Sequence, residues 1–113
     1  IRDIFLRKNS YNISKIGRWW YKDKEIDLLG INEKTKQIIF GEAKWKDKVD
    51  AKKIAKELNE KTQYVDWHNK ERRETLYIFA KSFKRKVQQI ENKPVKCINL
   101  KDLEKWIKTK PIV

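Results

Sequence analysis

Among 113 residues there is one cysteine, one histidine, three glycines, two prolines and no methionine. A lone Cys97 excludes a disulfide within the chain and a cysteine zinc site. Its setting in Val95-Lys-Cys-Ile-Asn99 predicts a small apolar residue buried in a strand. His68 has no evident partner and reads as a surface or helix-end residue rather than a ligand. No apolar run approaches the roughly 18 residues needed to span a bilayer, and no signal-peptide pattern occurs. The expectation is a soluble, cytoplasmic protein with no membrane span. The absence of a Gly-x-x-x-x-Gly-Lys loop excludes P-loop ATP hydrolysis by these residues. With no internal repeat and no low-complexity linker, residues 1–113 read as a single domain.

What the chain has in excess is positive charge. Lysine and arginine number 29 against 16 acidic residues, a net charge of +13 with a pI near 9.8. Such a balance favours a polyanionic partner, either nucleic acid or an anionic surface.

Against that background, a few acidic residues stand inside apolar strand patterns. Glu25-Ile-Asp-Leu-Leu-Gly-Ile31 and Ile38-Ile-Phe-Gly-Glu-Ala-Lys44 read as the two strands of a hairpin. Burying Asp27, Glu42 and Lys44 there is costly unless something compensates their charge. Antiparallel pairs have residue numbers of constant sum, so a loop over 33–36 sets Ile31 opposite Ile38, Leu29 opposite Phe40, Asp27 opposite Glu42, and Glu25 opposite Lys44. All eight then share one face. The other face, Ile26, Leu28 and Gly30 against Ile39, Gly41 and Ala43, is uniformly apolar or small, which predicts a hairpin covered on both sides. Two carboxylates directly opposed repel one another and favour a bound divalent cation. Lys44, two residues after Glu42, falls on the same side of its strand and can reach a phosphate or a water. The plainer reading of the same residues is a structural ion-pair cluster, with Glu25 as a further partner of Lys44.

An Asp ending one strand and Glu-x-Lys in the next resembles the core of the PD-(D/E)xK nuclease superfamily. The longer series Ile16-Gly-Arg-Trp-Trp20, Glu25-Ile-Asp27 and Phe40-Gly-Glu-Ala-Lys-Trp45 resembles, more narrowly, the nuclease-like C-terminal domain (DUF234-type) found on archaeal ATPases. The resemblance implies an α/β, restriction-endonuclease-like αβββαβ core with a central mixed sheet flanked by helices. It also implies Mg²⁺ or Mn²⁺ held by Asp27, Glu42 and the Ala43 carbonyl, with Lys44 assisting hydrolysis of a DNA phosphodiester. RNA is not excluded as the target, and a homodimer is compatible with the residues. Such domains can keep the fold and lose the chemistry, so a catalytically inactive DNA-binding or interaction module is the alternative. Family members often carry another acid on the first helix. This chain opens inside that apparent helix, at residues 1–8, and is expected to be a fragment of a longer chain carrying an ATPase domain. Asp3 is the candidate substitute for the acid.

For nucleic-acid contact the candidates are Arg18, Trp19 and Trp20 before the hairpin, and Lys46, Lys48, Lys52 and Lys53 after it. Adjacent tryptophans in a strand more commonly divide between core and surface, and the lysines can equally be solvated. Lys81, Lys84, Arg85 and Lys86 form a further basic segment with the same two readings. Gln63 and Tyr64 loosely match a glutamine-plus-aromatic feature of some superfamily members, with a core edge or solvent as the other reading.

The remaining elements follow from periodicity. A strand is expected from residue 13 to 21. Ala51, Ile54, Ala55, Leu58, Thr62 and Val65 predict a helix over 49–67, with Asp50 at its N-terminus and Lys52, Lys53, Lys56 and Lys61 on other faces. Thr75 to Ala80 reads as a buried parallel strand. A short helix is expected through Ile90, then a strand over 95–98. A last helix capped by Asn99 follows, presenting Leu103, Trp106 and Ile107, before a frayed end from residue 110.

Overall fold

The computed structural model describes residues 13–108, and side chains to residue 105. The helix expected over residues 1–8, Asp3, the frayed end expected from residue 110 and the side chains of Trp106 and Ile107 lie outside that range. Strands β1 (Lys15–Tyr21), β2 (Lys24–Asn32) and β3 (Gln37–Lys44) form an antiparallel meander. Strand β4 (Val49–Asp50) leads into helix α1 (Ala51–Thr62), and β5 (Arg73–Ala80) then returns parallel to β3. The chain ends with β6 (Phe83–Arg85), β7 (Gln89–Ile90), β8 (Lys93–Ile98) and helix α2 (Leu100–Lys108). The main sheet is mixed and six-stranded, in the order β1-β2-β3-β5-β8-β7, while β4 and β6 form a separate parallel pair. This is the α/β architecture with a central mixed sheet that the sequence predicts.

Two apolar layers hold it together. On one face Ile26, Ile38, Phe40, Leu76, Ile78, Val95 and Cys97 pack with Ile54, Ala55 and Leu58 of α1. On the other, Leu28, Ile39, Tyr77 and Phe79 pack with Leu103 of α2. The buried run in β5 follows from this double coverage, because a central parallel strand has no solvent face. Cys97 is buried, as expected.

Both helices start where a side chain can take an orphan backbone N–H. The Asp50 carboxylate accepts from Lys53 N–H at 3.2 Å. Asn99 and Asp102 cap reciprocally, each side chain accepting from the other's backbone N–H at 2.9 and 3.0 Å. Replacing Asp50 with alanine is expected to lower the unfolding free energy by about 1 kcal/mol, measurable by urea denaturation. α1 is shorter than its periodicity suggests. Val49 and Asp50 pair with β6 instead of joining the helix, and the chain leaves the helix at Thr62. There the buried Arg72 guanidinium donates to the carbonyls of Thr62, Val65 and Trp67 at 2.8, 2.6 and 3.1 Å. The loop after α1 is thus folded around one cation, which also pairs with Glu74 at 2.7 Å.

The segment before β8 corrects the expected short helix. Residues 83–85 and 89–90 are strands, and β7 turns into β8 through Glu91 and Asn92, both at positive φ (46° and 66°). Such a two-residue turn matches the twist of a hairpin. Val87, between β6 and β7, and Ile90 of β7 pack against the α1-side core.

The β2–β3 register is the expected one: Ile31 pairs with Ile38 and Leu29 with Phe40. The Asn32 side chain stabilises the turn, accepting from the N–H groups of Lys34 and Thr35 at 2.9 and 3.1 Å. The regular alternation, however, fails next to Asp27. From Leu29 to Ile26, β2 runs three positions while β1 runs two, from Gly17 to Trp19. The extra residue is a bulge at Asp27–Leu28. It turns Ile26 onto the α1 face with Leu29 and Ile31, and Leu28 onto the α2 face. The expectation that Ile26 and Leu28 share a face is therefore corrected. So are the ladder pairs expected of Asp27 with Glu42 and of Glu25 with Lys44, since the β2–β3 ladder stops at Leu28–Gly41.

Candidate active site

The β2–β3 ladder ends at Leu28–Gly41. There the backbones come so close that a Cβ on Gly41 would lie 3.0 Å from the Leu28 Cβ. Beyond that pair the strands part, and the next inward donor, Ala43 N–H, gives its hydrogen to Asp27 Oδ2 at 3.0 Å. The bulge allows this exchange of a ladder bond for a side-chain bond. A strand residue points its N–H and C=O at the same neighbour, so the Ala43 carbonyl faces the same gap. Around it lies a cleft of about 430 Å³ lined by Gly17, Arg18, Asp27, Leu28, Gly41, Glu42, Ala43 and Phe79.

Glu42 is the buried member, with only 7% of its side chain exposed. Burial pushes its carboxyl up from 4.5 to about 7, Asp27 pushes the same way through hydrogen bonding and charge, and Lys61 opposes them. Lys61 Nζ donates to Glu42 Oε1 at 2.9 Å and to the Glu25 carbonyl at 2.9 Å. The lysine thus ties the end of α1 to both strands of the parted hairpin. The structure corrects the expectation that Lys61 lies on another face than the apolar stripe. The position of Lys61 seven residues after Ile54 and three after Leu58 places the stem on the apolar stripe of α1, and that spacing was the available signal.

The structure brings Asp27, Glu42 and Ala43 together at the cleft. Lys44 is half-buried at the end of β3, and among the described residues it forms no ion pair with either carboxylate. Arg18 is exposed and lines the cleft. Trp19 is partly buried against the α1-side core, whereas Trp20 is 69% exposed, the division expected of neighbours in a strand. Lys46, Lys48, Lys52 and Lys53 are all exposed, in the loop after β3 and the first turn of α1. Gln63 ends α1 as its C-cap, and Tyr64 is exposed beneath Lys24, whose Nζ lies 4.4 Å from the ring centroid. His68 is exposed in the loop after α1. No group of three or more His, Cys, Asp or Glu side chains that could hold a metal occurs among the described residues.

Residues 1–54 match the model of a family, DUF234, described as archaea bacterial proteins of unknown function. The chain is similar to that family over this stretch. The stretch contains Asp27, Glu42 and Lys44, but not Lys61. An uncharacterized protein of Methanocaldococcus jannaschii is 42% identical over 62 residues, which are 53% of this chain and 14% of that protein. The chain therefore matches a small part of its relative's length. No solved structure matches. No helix among the described residues is long and apolar enough to cross a membrane.

Proposed function

We propose that this chain is a metal-dependent DNA endonuclease-like domain of the PD-(D/E)xK type, attached to an ATPase domain in a longer protein. The observation that carries this reading is the parting of β2 and β3 at Asp27, which leaves two carboxylates and a strand-end backbone residue on one cleft. The donor set fits Mg²⁺ or Mn²⁺: all oxygen, few in number, with room for water. Asp27, Glu42 and the Ala43 carbonyl would hold the ion. When bound, the ion supplies Lewis-acid stabilisation of the phosphodiester and makes a water more acidic.

The chain's own residues supply the rest. Lys61 holds Glu42 in place. Arg18 offers a guanidinium to a phosphate at the mouth of the cleft, and Leu28 and Phe79 give it an apolar wall. Lys44 shares Glu42's side of β3, from where a flexible ammonium can follow a phosphate into the site. The exposed Lys46, Lys48, Lys52 and Lys53 track a backbone running past it.

One observation favours a second reading, a DNA-binding or interaction module without catalysis. Glu42 is already paired with a cation in Lys61, and Lys44 is not drawn to either carboxylate. Incubation of the protein with plasmid or branched DNA, with Mg²⁺, with Mn²⁺, and with a chelator, separates the two. Cleavage only with the ions is expected. Salt-sensitive DNA binding with no cleavage under any ion would leave the module standing and remove the nuclease.

A further inference from the structure

Among the described residues five large apolar side chains are conspicuously exposed, four of them aromatic: Trp20, Tyr21, Trp45 and Tyr64. Two of these four, Trp20 and Trp45, stand two residues along the chain from a residue that lines the cleft. Along β1, Trp19 and Tyr21 stack with ring centroids 6.4 Å apart, and Trp19 packs against the α1-side core. Alternation therefore sends Trp20 to the opposite side together with Arg18, which lines the cleft. Trp45 stands two residues beyond Ala43, another lining residue, at the apex of a tight turn closed by Lys46 N–H donating to the Lys44 carbonyl at 2.8 Å. The indoles are 69% and 45% exposed, and each is two residues from a cleft residue, roughly 6–7 Å along an extended chain.

We infer that Trp20 and Trp45 are stacking platforms and that the substrate reaches this cleft as a strand with unpaired bases. The inference rests on the phosphodiester reading of the site and narrows its substrate class. Two features point to nucleic acid as the occupant of this surface. Cations neighbour both indoles along the chain, Arg18 and Lys22 two residues to either side of Trp20 and Lys44 and Lys46 next to Trp45, and Arg18, on Trp20's side of β1, lines the cleft itself and offers a phosphate-binding group there. The cleft wall between them is itself part apolar, formed by Leu28, Gly41 and Phe79. Uniform duplex presents only backbone and groove edges to such a surface. A single strand presents base faces, which stack on aromatic rings with little regard to sequence while cations follow the backbone. A protein partner would also cover exposed tryptophans, but nothing in its recognition needs a chain of net charge +13 around them.

Fluorescence anisotropy with labelled oligothymidine of about 20 nucleotides and a blunt duplex of equal length, both in a chelator that suppresses cleavage, tests this directly. Single strand is expected to bind about tenfold tighter than duplex. Trp20→Ala and Trp45→Ala should each weaken single-strand binding about tenfold and change duplex binding less than about twofold. Trp20→Phe should restore most of the loss, because phenylalanine retains a stacking face. An oligouridine arm tells whether ribose is accepted with the unpaired bases. Equal affinity for the two forms, or alanine variants that bind single strands like wild type, overturns the inference; the latter would assign the tryptophans to a protein contact. Because binding is read without metal, a protein that cuts duplex but ignores single strands sinks only the stacking role. One that prefers single strands and never cuts sinks only the hydrolytic one.

Discussion

Replacing Asp27 with alanine is expected to reduce Mg²⁺- or Mn²⁺-dependent DNA cleavage by at least about 1000-fold while leaving the fold in place. A divalent ion contributes several kcal/mol of charge stabilisation to a phosphodiester transition state, and each 1.4 kcal/mol is about tenfold in rate. Losing one of only two carboxylates removes much of the ion's purchase on the protein. The folded state has far less at stake. Asp27 accepts a backbone hydrogen from Ala43 and shares a side-chain hydrogen bond with Glu42, both in an open cleft where water can replace them. Its removal also takes away a negative charge that acts unfavourably on Glu42. Unfolding free energy should therefore change by no more than about 1 kcal/mol. Asp27→Asn refines the result. Its side-chain oxygen can still accept from Ala43 while the charge is gone, so equal inactivity of both variants assigns the loss to charge. Cleavage by either variant at the wild-type rate would remove Asp27 from the chemistry.

How far the residues alone reach is clear from particular elements. The pairs Leu29–Phe40 and Ile31–Ile38 follow from a four-residue loop over 33–36 and a constant sum, because in a hairpin the loop length fixes the register. The caps at Asp50 and Asn99 were legible for a similar reason, each being a short polar side chain just before a helical period. The bulge at Asp27 was not, since alternation presumes one residue against one. Its only trace is a carboxylate in an otherwise apolar strand, which marks a position without saying how the backbone accommodates it. Lys61 was missed because its charge outweighed its spacing in the reading, although a long side chain can lay its stem on the stripe and carry the ammonium to Glu42. The segment around Val87 and Ile90 was misread because an interval of three apolar positions suits a helix as well as it suits two bends of extended chain. Positive φ at Glu91 and Asn92 decides between them, and side chains other than glycine give little warning of it. The bulge and Lys61, both missed, sit at the candidate site, where local rules are most readily broken.

The stability of the metal-free protein is expected to fall by about 3 kcal/mol as pH rises from about 4.5 to above 7, and Glu42→Gln should abolish most of that slope. The Glu42 carboxyl is pushed from its ordinary 4.5 to about 7, first by burial and then by Asp27, with Lys61 only partly offsetting them. Between those two values the folded chain keeps the proton and the unfolded chain has lost it. Folding then takes up a proton, and stability drops as pH rises. The full difference corresponds to about 1.4 kcal/mol for each pH unit between the two values. The other shifted carboxyls act outside this window. Burial pushes Glu74 and Asp102 up, but Lys93 and Arg72 pull Glu74 below the ordinary range, and Lys86 with the Asn99 backbone does the same for Asp102. Their stabilisation is present above the unfolded value and is lost only in acid. Urea denaturation in a chelator at about pH 5 and about pH 8 reads the effect, with wild type losing most of the 3 kcal/mol between them and Glu42→Gln nearly flat. An ion that binds the ionised pair opposes the trend, since it stabilises the folded chain most where Glu42 has no proton to surrender. Mn²⁺ at about tenfold over its dissociation constant should restore about 1.4 kcal/mol at about pH 8 and little at about pH 5. A slope that survives in Glu42→Gln would mean that the cleft carboxylate is not the group that titrates, and an ion that stabilises equally at both pH values would mean that it binds elsewhere.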